Sequence, residues 1–290
     1  LETTYLTDGV SWSADYVLTL AKDEQSLDVA GWVTMNNQSG ATFTNAKLKL
    51  VAGDVNVVRD EEAVKALGIL ENGGVLADRM EMPREEAFGE YHLYTVPRRT
   101  TIKQNQSKQL ALLSGAGVTC VKKYEFRGDV AFYSQPIPPI QNQHAEVFLE
   151  FENKEENKLG LPLPAGVMRV YQEDSEGMLQ FSGEDRIKHT PKDEKVRLKM
   201  GNAFDVIGDR TQMDYKVLAP NVHESVFVIA LRNHKETPIV VDVVEPMPGD
   251  WEILDASHEY TKKDAQTAVF SVPLKAGEEA KVTYRVRVKI

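Results

Sequence analysis

Apolar and polar residues alternate along much of the chain, which is the pattern of β-strands that bury one face. The C-terminal segment is the clearest case. Apolar side chains occupy every second position from 280 to 290, and lysine, threonine or arginine fills the positions between them. The same period of two appears at residues 12–20 and 196–200. This pattern predicts an all-β protein of antiparallel β-sandwich modules, immunoglobulin-like or similar, with very little helix.

Two irregular stretches interrupt the alternation. Residues 57–89 are polar, contain glycine and have little periodicity, so we expect a mobile excursion that opens with a short helix N-capped by Asp60. Residues 134–143 contain three prolines, which exclude a central strand and suit a stiff linker. We therefore expect an N-terminal sandwich-like domain at residues 1–134 and a C-terminal one at residues 144–290.

A short pattern recurs three times, at residues 33–37, 148–154 and 228–235. In each case an apolar strand runs into asparagine and other polar residues before the next strand. Each instance predicts a β-hairpin. Because such hairpins are common in large β proteins, the recurrence is only weak evidence for duplicated modules.

Charge and composition limit the partners. The chain has 44 acidic and 34 basic residues and a net charge of −10, whereas a nucleic-acid partner needs a concentrated excess of lysine and arginine. The sequence has no apolar run long enough to cross a membrane as a helix, so we expect no integral membrane segment. The single cysteine, Cys120, cannot form an internal disulfide and lies in an apolar stretch, which predicts a buried core residue. The chain begins with Leu1, and we expect that a segment upstream was removed.

Sequence signatures of common active sites are missing. The six histidines do not follow a metal-ligand spacing, and there is no nucleophile elbow, phosphate-binding loop or calcium loop. We expect no metal, no cofactor and no catalytic residue that the sequence can identify. One polar cluster, Glu184, Asp185, Arg186 and His189, predicts either an acid–base pair or ligand clamp, or a charged loop held by local ion pairs.

Trp32 is the aromatic candidate for ligand binding. Residues 27, 29, 31, 33 and 35 share one face of a predicted strand, and Trp32 points to the other face beside Ala30 and Thr34. An accessible tryptophan on a flat sheet is a typical platform for a sugar ring or a partner's side chain. If both faces of the sheet are covered, Trp32 is instead an ordinary core residue.

Several short segments together resemble the bacterial domain of unknown function 4139, the family that includes mucoidy-inhibitor-like proteins. They cover nearly the whole chain: TDG at 7–9, SWSADY at 11–16, LVAGDV at 50–55, YHLY at 91–94, NQSK at 105–108, LPAG at 163–166, GEDR at 183–186 and PMPGDW at 246–251. The resemblance brings no catalytic residues with it. It implies an extracytoplasmic, cell-envelope setting, because such proteins usually carry an export signal.

Two main functions are compatible with these observations, besides a structural module that merely spaces other domains of a longer chain. The first is a non-enzymatic binding or assembly module of the cell envelope, with a protein or a glycan as partner. The alternative is a hydrolase of envelope or extracellular polysaccharide, since a pair of carboxylates suffices for glycoside hydrolysis. A deep cleft with two facing carboxylates would favour the hydrolase, and shallow surfaces would favour the binding module.

Overall fold

The structure is a computed structural model that describes residues 3–53 and 83–290. Within these ranges the chain forms β-strands and a single turn of 3-10 helix at Val130–Tyr133. The strands are, in chain order, β1 (Val10–Leu20), β2 (Ser26–Asn37), β3 (Phe43–Ala46), β4 (Lys49–Ala52), β5 (Arg84–Phe88), β6 (Tyr91–Thr95), β7 (Thr100–Ile102), β8 (Gln106–Arg127), β9 (Ile140–Glu152), β10 (Gly166–Glu173), β11 (Leu179–Ile187), β12 (Lys195–Ala219), β13 (Val222–Asn233), β14 (Ile239–Pro246), β15 (Asp250–Ala256), β16 (Thr261–Asp264), β17 (Thr267–Leu274) and β18 (Glu279–Lys289). The prediction of an all-β fold is confirmed.

The chain divides into two compact units that are each discontinuous in sequence. Unit 1 takes its residues from 1–121 and 151–198, and unit 2 from 122–150 and 199–290. The chain passes from one unit to the other within β8, β9 and β12. This division differs from the predicted domains, because residues 134–143 lie wholly within unit 2. The limits 1–134 and 144–290 stay a prediction about independently folding domains.

Unit 1 is organised around a sheet in the order β11-β10-β1-β2-β8. β2 runs antiparallel to both β1 and β8, whereas β10 runs parallel to β1. Two small sheets, β3-β7 and β4-β6-β5, complete the unit. One face of the large sheet forms the core, and its buried side chains include Tyr16, Leu18, Val29, Val33 and Met168.

The parallel contact between β1 and β10 depends on a glycine. A Cβ atom on Gly166 would lie 2.2 Å from the carbonyl oxygen of Ala14 and 3.1 Å from the ring of Tyr16. The hydroxyl of Tyr16 donates a hydrogen bond of 2.8 Å to the carbonyl of Pro164, just before β10. Gly166 therefore allows β10 to approach β1 closely enough to extend the sheet.

The strands of unit 2 share one hydrophobic core. They pair in the continuous order β16-β17-β14-β8-β9-β12-β13-β18-β15, in which β14 runs parallel to the end of β8. Phe270 of β17 stacks on Tyr284 of β18, with ring centroids 5.3 Å apart. Alternate residues of these strands fill this core, as expected where one face of each strand is buried.

The predicted alternation agrees closely with the observed strand faces. On β18, Val282, Tyr284, Val286 and Val288 are buried, although Ile290 beyond its end is 53% exposed. The proline-containing linker was predicted too long, because residues 140–143 already belong to β9. The predicted helix at residues 60–67 and nearly all of the excursion at 57–89 lie outside the described residues, and the described end of the excursion contains β5.

The prediction of three hairpins is wrong, because the strands before and after each asparagine do not pair with each other. The three asparagines nevertheless share a structural role. β2 pairs with β1 and β8, and the following β3 pairs with β7, so the chain does not turn back on itself after Asn37. Asn37, Asn153 and Asn233 are instead buried at strand ends. The side-chain amide of each donates to at least two backbone carbonyls and its oxygen accepts from a backbone N–H. Each asparagine satisfies the backbone where the chain leaves the sheet.

Within residues 3–53 and 83–290, no helix has both the length and the apolar character needed to span a membrane.

Candidate functional site

The second face of the large sheet in unit 1 points away from the core and carries the candidate site. We call it the outer face. Strand alternation places on it every second residue of the five strands. Among its members are Asp15, Val17 and Thr19 of β1, Asp28, Ala30, Trp32, Thr34 and Asn36 of β2, Val167, Arg169 and Tyr171 of β10, and Phe181, Glu184 and Arg186 of β11. All of these side chains are half-buried or exposed.

Trp32 lies near the middle of this face. The register places Asp15 of β1 opposite it on one side and Ala111 of β8 on the other. Trp32 is half-buried, whereas its neighbours on β2, Gly31 and Val33, belong to the core face. The indole is therefore outside the core, beside small side chains and a carboxylate, and part of it is accessible to a ligand.

An ion-pair network lies next to Trp32. Nη1 of Arg169 donates to Oδ1 of Asp15 at 3.1 Å, and Nε of Arg169 lies 3.1 Å from Oε2 of Glu184. The three residues come from adjacent strands, β1, β10 and β11, so one guanidinium bridges the three strands. The hydrogen bond to Asp15 raises the pKa of Arg169 above its ordinary value. This network holds charged groups in fixed positions on an accessible surface.

The structure separates the polar cluster that the sequence suggested. Glu184 and Arg186 lie on the outer face, but Asp185 points to the opposite side because successive residues of a strand alternate. His189 lies beyond the end of β11, where its Nδ1 accepts a hydrogen bond of 3.2 Å from the backbone N–H of Ala165. Two of the four residues therefore share a face with Trp32, and the four do not form one acid–base site.

Two aromatic residues at the far corner of the outer face were not anticipated. Tyr171 of β10 and Phe181 of β11 are paired across the strands, with ring centroids 5.7 Å apart in an edge-to-face arrangement. Phe181 is 56% exposed. The sequence signal was the alternation of Tyr171 with buried Met168 and Val170, but only the pairing of β10 with β1 shows that Tyr171 and Trp32 share a face.

The turn between β10 and β11 fixes this corner. Oδ1 of Asp174 accepts hydrogen bonds of 2.9 Å from the backbone N–H groups of Glu176 and Met178. Gly177 supplies the left-handed conformation of the turn, with φ at +81°. The side chain of Gln180 also donates to Asp174, and these bonds hold the pKa of Asp174 below its ordinary value. The turn thus sets the register that brings Phe181 beside Tyr171.

A hollow of about 410 Å³ lies where β1 ends and β2 begins, and it is lined in part by Asp28 and Glu173. Both carboxylates already have partners. Oδ1 of Asp28 accepts a hydrogen bond of 2.7 Å from the backbone N–H of Gly117, and Glu173 lies 3.5 Å from Nζ of Lys22. The hollow therefore offers no free pair of carboxylates.

Neither a metal site nor a reactive thiol is supported by the described residues. In the described part of the chain, no three His, Cys, Asp or Glu side chains cluster closely enough to hold a metal ion. Cys120 is buried, as the sequence predicted, and burial raises the pKa of its thiol to about 11. A thiol with that pKa is a poor nucleophile near neutral pH.

Comparison with known proteins agrees with the resemblance noted in the sequence. No curated protein matches the chain. The sequence model of the family described as Domain of unknown function (DUF4139) matches residues 1–290, the whole length of the chain. The chain therefore belongs to the DUF4139 family.

Proposed function

We propose that this protein is a non-enzymatic binding module of the cell envelope, and that the outer face of unit 1 is its binding surface. The observation that carries the proposal is the position of Trp32, which is half-buried outside the core and opposite Asp15 in the sheet. Asp15 is itself held by Arg169. An aromatic platform beside fixed charged groups offers a partner both apolar contact and hydrogen bonds.

The carboxylates of the outer face favour binding over hydrolysis. Glycoside hydrolysis needs two carboxyl groups that flank the scissile bond. Asp15 and Glu184 instead contact the same guanidinium, that of Arg169. Both carboxylates are therefore placed to accept hydrogen bonds from a ligand beside an arginine, and not to face each other across a glycosidic bond.

The envelope setting rests on family resemblance. It predicts that the partner is an extracytoplasmic molecule, either a glycan or an envelope protein. The acidic chain disfavours polyanions in general, since its net charge is −10.

Replacing Trp32 with alanine tests the proposal. We expect Trp32→Ala to fold and to weaken binding to an envelope component by about 2 kcal/mol or more, which is the size of a hot-spot contact. Trp251→Ala is the matched control, because Trp251 is 6% exposed and donates to the carbonyl of Ala265 in the core of unit 2. That control should lose about 3–5 kcal/mol of stability.

Two measurements separate the outcomes. Thermal melts compare the stability of both variants with the parent, and an array of envelope glycans and envelope proteins measures binding. If Trp32→Ala is as destabilising as Trp251→Ala, Trp32 is a core residue and the proposal loses its main support. Turnover of a polysaccharide on the array would instead favour the hydrolase.

A further inference from the structure

The outer face has two aromatic positions rather than one. Trp32 occupies the first, and the edge-to-face pair of Tyr171 and Phe181 occupies the second. β1 lies between β2 and β10, so Tyr171 is two strands away from Trp32. The two residues are also offset by four residues along β1, because Asp15 pairs with Trp32 and Thr19 pairs with Tyr171. With standard strand and residue spacings, the two positions are about 16 Å apart on a diagonal across the sheet.

The surface between these positions is low and is bordered on one side by charged groups. Val17, Thr19 and Ala30 form its floor, so no large side chain rises between the aromatic groups. The ion pair of Arg169 with Glu184 lies beside this path, at the side of β10 and β11. A ligand that follows the diagonal would contact an aromatic ring at each end and charged groups along one side.

This arrangement fits a linear glycan better than a protein. A protein interface usually has a contiguous apolar centre with charged groups depleted there, whereas here a charged network runs along one side of the path between the aromatic positions. Sugar rings present an apolar face that stacks on aromatic side chains and hydroxyls that bond to carboxylates and guanidinium groups. A chain of such rings repeats both contacts along its length.

The charges of the outer face favour an uncharged glycan. Asp15, Asp28 and Glu184 contribute three carboxylates, against the guanidinium groups of Arg169 and Arg186. Arg169 is already shared by two of those carboxylates. A polyanionic glycan would therefore meet a face without excess positive charge, on a protein with a net charge of −10.

We propose, on the basis of the function proposed above, that the outer face binds a segment of a neutral linear polysaccharide extending from Trp32 to Tyr171 and Phe181. Each end of the segment stacks on one aromatic position. The affinity should then depend on the length of the ligand, because a disaccharide reaches only one aromatic position and a hexasaccharide spans both.

Calorimetric titration with neutral linear oligosaccharides tests this proposal. The probes are disaccharides and hexasaccharides of β-1,4-linked glucose, β-1,4-linked N-acetylglucosamine and α-1,4-linked glucose, with a uronic acid hexasaccharide as the charged comparison. We expect at least one neutral hexasaccharide to bind about 10-fold or more tightly than its disaccharide, and more tightly than the uronic acid.

Two variants locate the contacts. Phe181→Ala should fold normally, because Phe181 is 56% exposed, and should remove the advantage of the hexasaccharide while sparing the disaccharide. Trp32→Ala should weaken the hexasaccharide by a similar factor. Phe204→Ala is the control, since Phe204 is 87% exposed in unit 2 and should leave every affinity unchanged.

The outcomes distinguish this inference from the proposed function. If no neutral glycan binds with length dependence, or if Phe181→Ala has no effect, the inference is wrong. If an envelope protein nevertheless binds in a manner that depends on Trp32, the proposed function survives without the glycan. If neither kind of partner depends on Trp32, both fail.

Discussion

Arg210 and Glu245 form a bidentate ion pair in the core of unit 2, and neither side chain is exposed to solvent. Nη2 of Arg210 donates to Oε1 of Glu245 at 2.7 Å, and Nη1 donates to Oε2 at 3.0 Å. The hydroxyls of Tyr133 and Tyr284 also donate to Oε2, at 2.6 and 3.0 Å. One carboxylate therefore joins β12, β14, β18 and the 3-10 turn.

Two aromatic rings and a glycine pack against this ion pair. The guanidinium lies over the rings of Phe126 and Phe132, at 5.5 and 5.3 Å from their centroids. A Cβ atom on Gly128 would lie 2.5 Å from Oε2 of Glu245, so glycine is needed at that position. The sequence does not place these residues near one another, because the ion pair joins positions on separate strands.

Removing one partner of this pair should destabilise the protein strongly. Arg210→Met leaves the carboxylate of Glu245 buried without its counter-charge, and we expect a loss of about 3–5 kcal/mol of unfolding free energy. The double variant Arg210→Met with Glu245→Leu should lose less, because no buried charge is left unpaired and the hydroxyls of Tyr133 and Tyr284, which are 3.1 Å apart, can then hydrogen-bond to each other.

Chemical denaturation of the single and double variants measures these differences. Lys216→Met is the control, because its ion pair with Asp214 is exposed and should contribute at most about 1 kcal/mol. A double variant that loses the sum of both single losses would show that Arg210 and Glu245 do not depend on each other.

Buried tyrosines should make the protein unstable in alkali. Burial, and next the negative charge of Glu245, raises the pKa of Tyr133 and Tyr284 well above its ordinary value. The unfolded chain loses the same protons near pH 10, so this contribution to stability is present below about pH 10 and declines as the pH rises above it.

Denaturant unfolding at several pH values, with phenolate absorbance as a second signal, checks this expectation. The buried tyrosines should ionise only as the protein unfolds. Tyr133→Phe should make the decline less steep. Ionisation of all ten tyrosines near pH 10 in the folded protein would refute it.

The buried asparagines should contribute more to the stability of the protein than the neighbouring asparagine on the outer face. In Asn37→Asp and Asn233→Asp the side chain keeps its acceptor but loses the amide that donates to backbone carbonyls, two of which are those of Lys103 and Lys275. Leaving such buried carbonyls unpaired costs about 1–3 kcal/mol, and we expect losses of that size. Asn36→Asp is the control, because Asn36 is on the outer face and accepts from Ser107. Thermal melts in which all three variants match the parent would show that these bonds contribute little.

Much of the fold follows from alternation in the sequence. The buried faces of β1, β2 and β18 are those that the period of two predicted, and the recurrent asparagines mark real strand ends. The same alternation also marks two charged residues at core positions, which the sequence-based prediction did not identify. Arg210 continues the buried positions Val206 and Gly208, and Glu245 continues Val241 and Val243. Charged residues at core positions of two strands point to a buried ion pair.

The remaining features depend on contacts that no local pattern reveals. The bridge of Arg169 to Asp15 joins residues 154 positions apart and exists only because β10 inserts beside β1 in parallel. The same insertion makes unit 1 discontinuous. The sequence therefore identified Trp32 and Glu184 separately, and only the strand order shows that they share a surface.

The thiol of Cys120 should be unreactive in the folded protein. Burial, and next the negative charge of Asp23, raises its pKa to about 11. At pH 8 only about one thiol in a thousand is then ionised, and the thiolate is the reactive form. Reaction with a thiol reagent at pH 8 should be slow in buffer and fast in denaturant. Equal rates in the two conditions would show that Cys120 is accessible.

The most direct test of the binding surface is hydroxyl-radical footprinting with and without a saturating partner identified by the array. This method measures side-chain accessibility in the unaltered protein, so the result does not depend on whether a variant folds. We expect the oxidation of Trp32, Tyr171 and Phe181 to slow when the partner is bound, and that of exposed Phe204 and Met213 in unit 2 to stay unchanged. Protection of Phe204 and Met213, with Trp32 and Phe181 oxidised as fast as before, would contradict it.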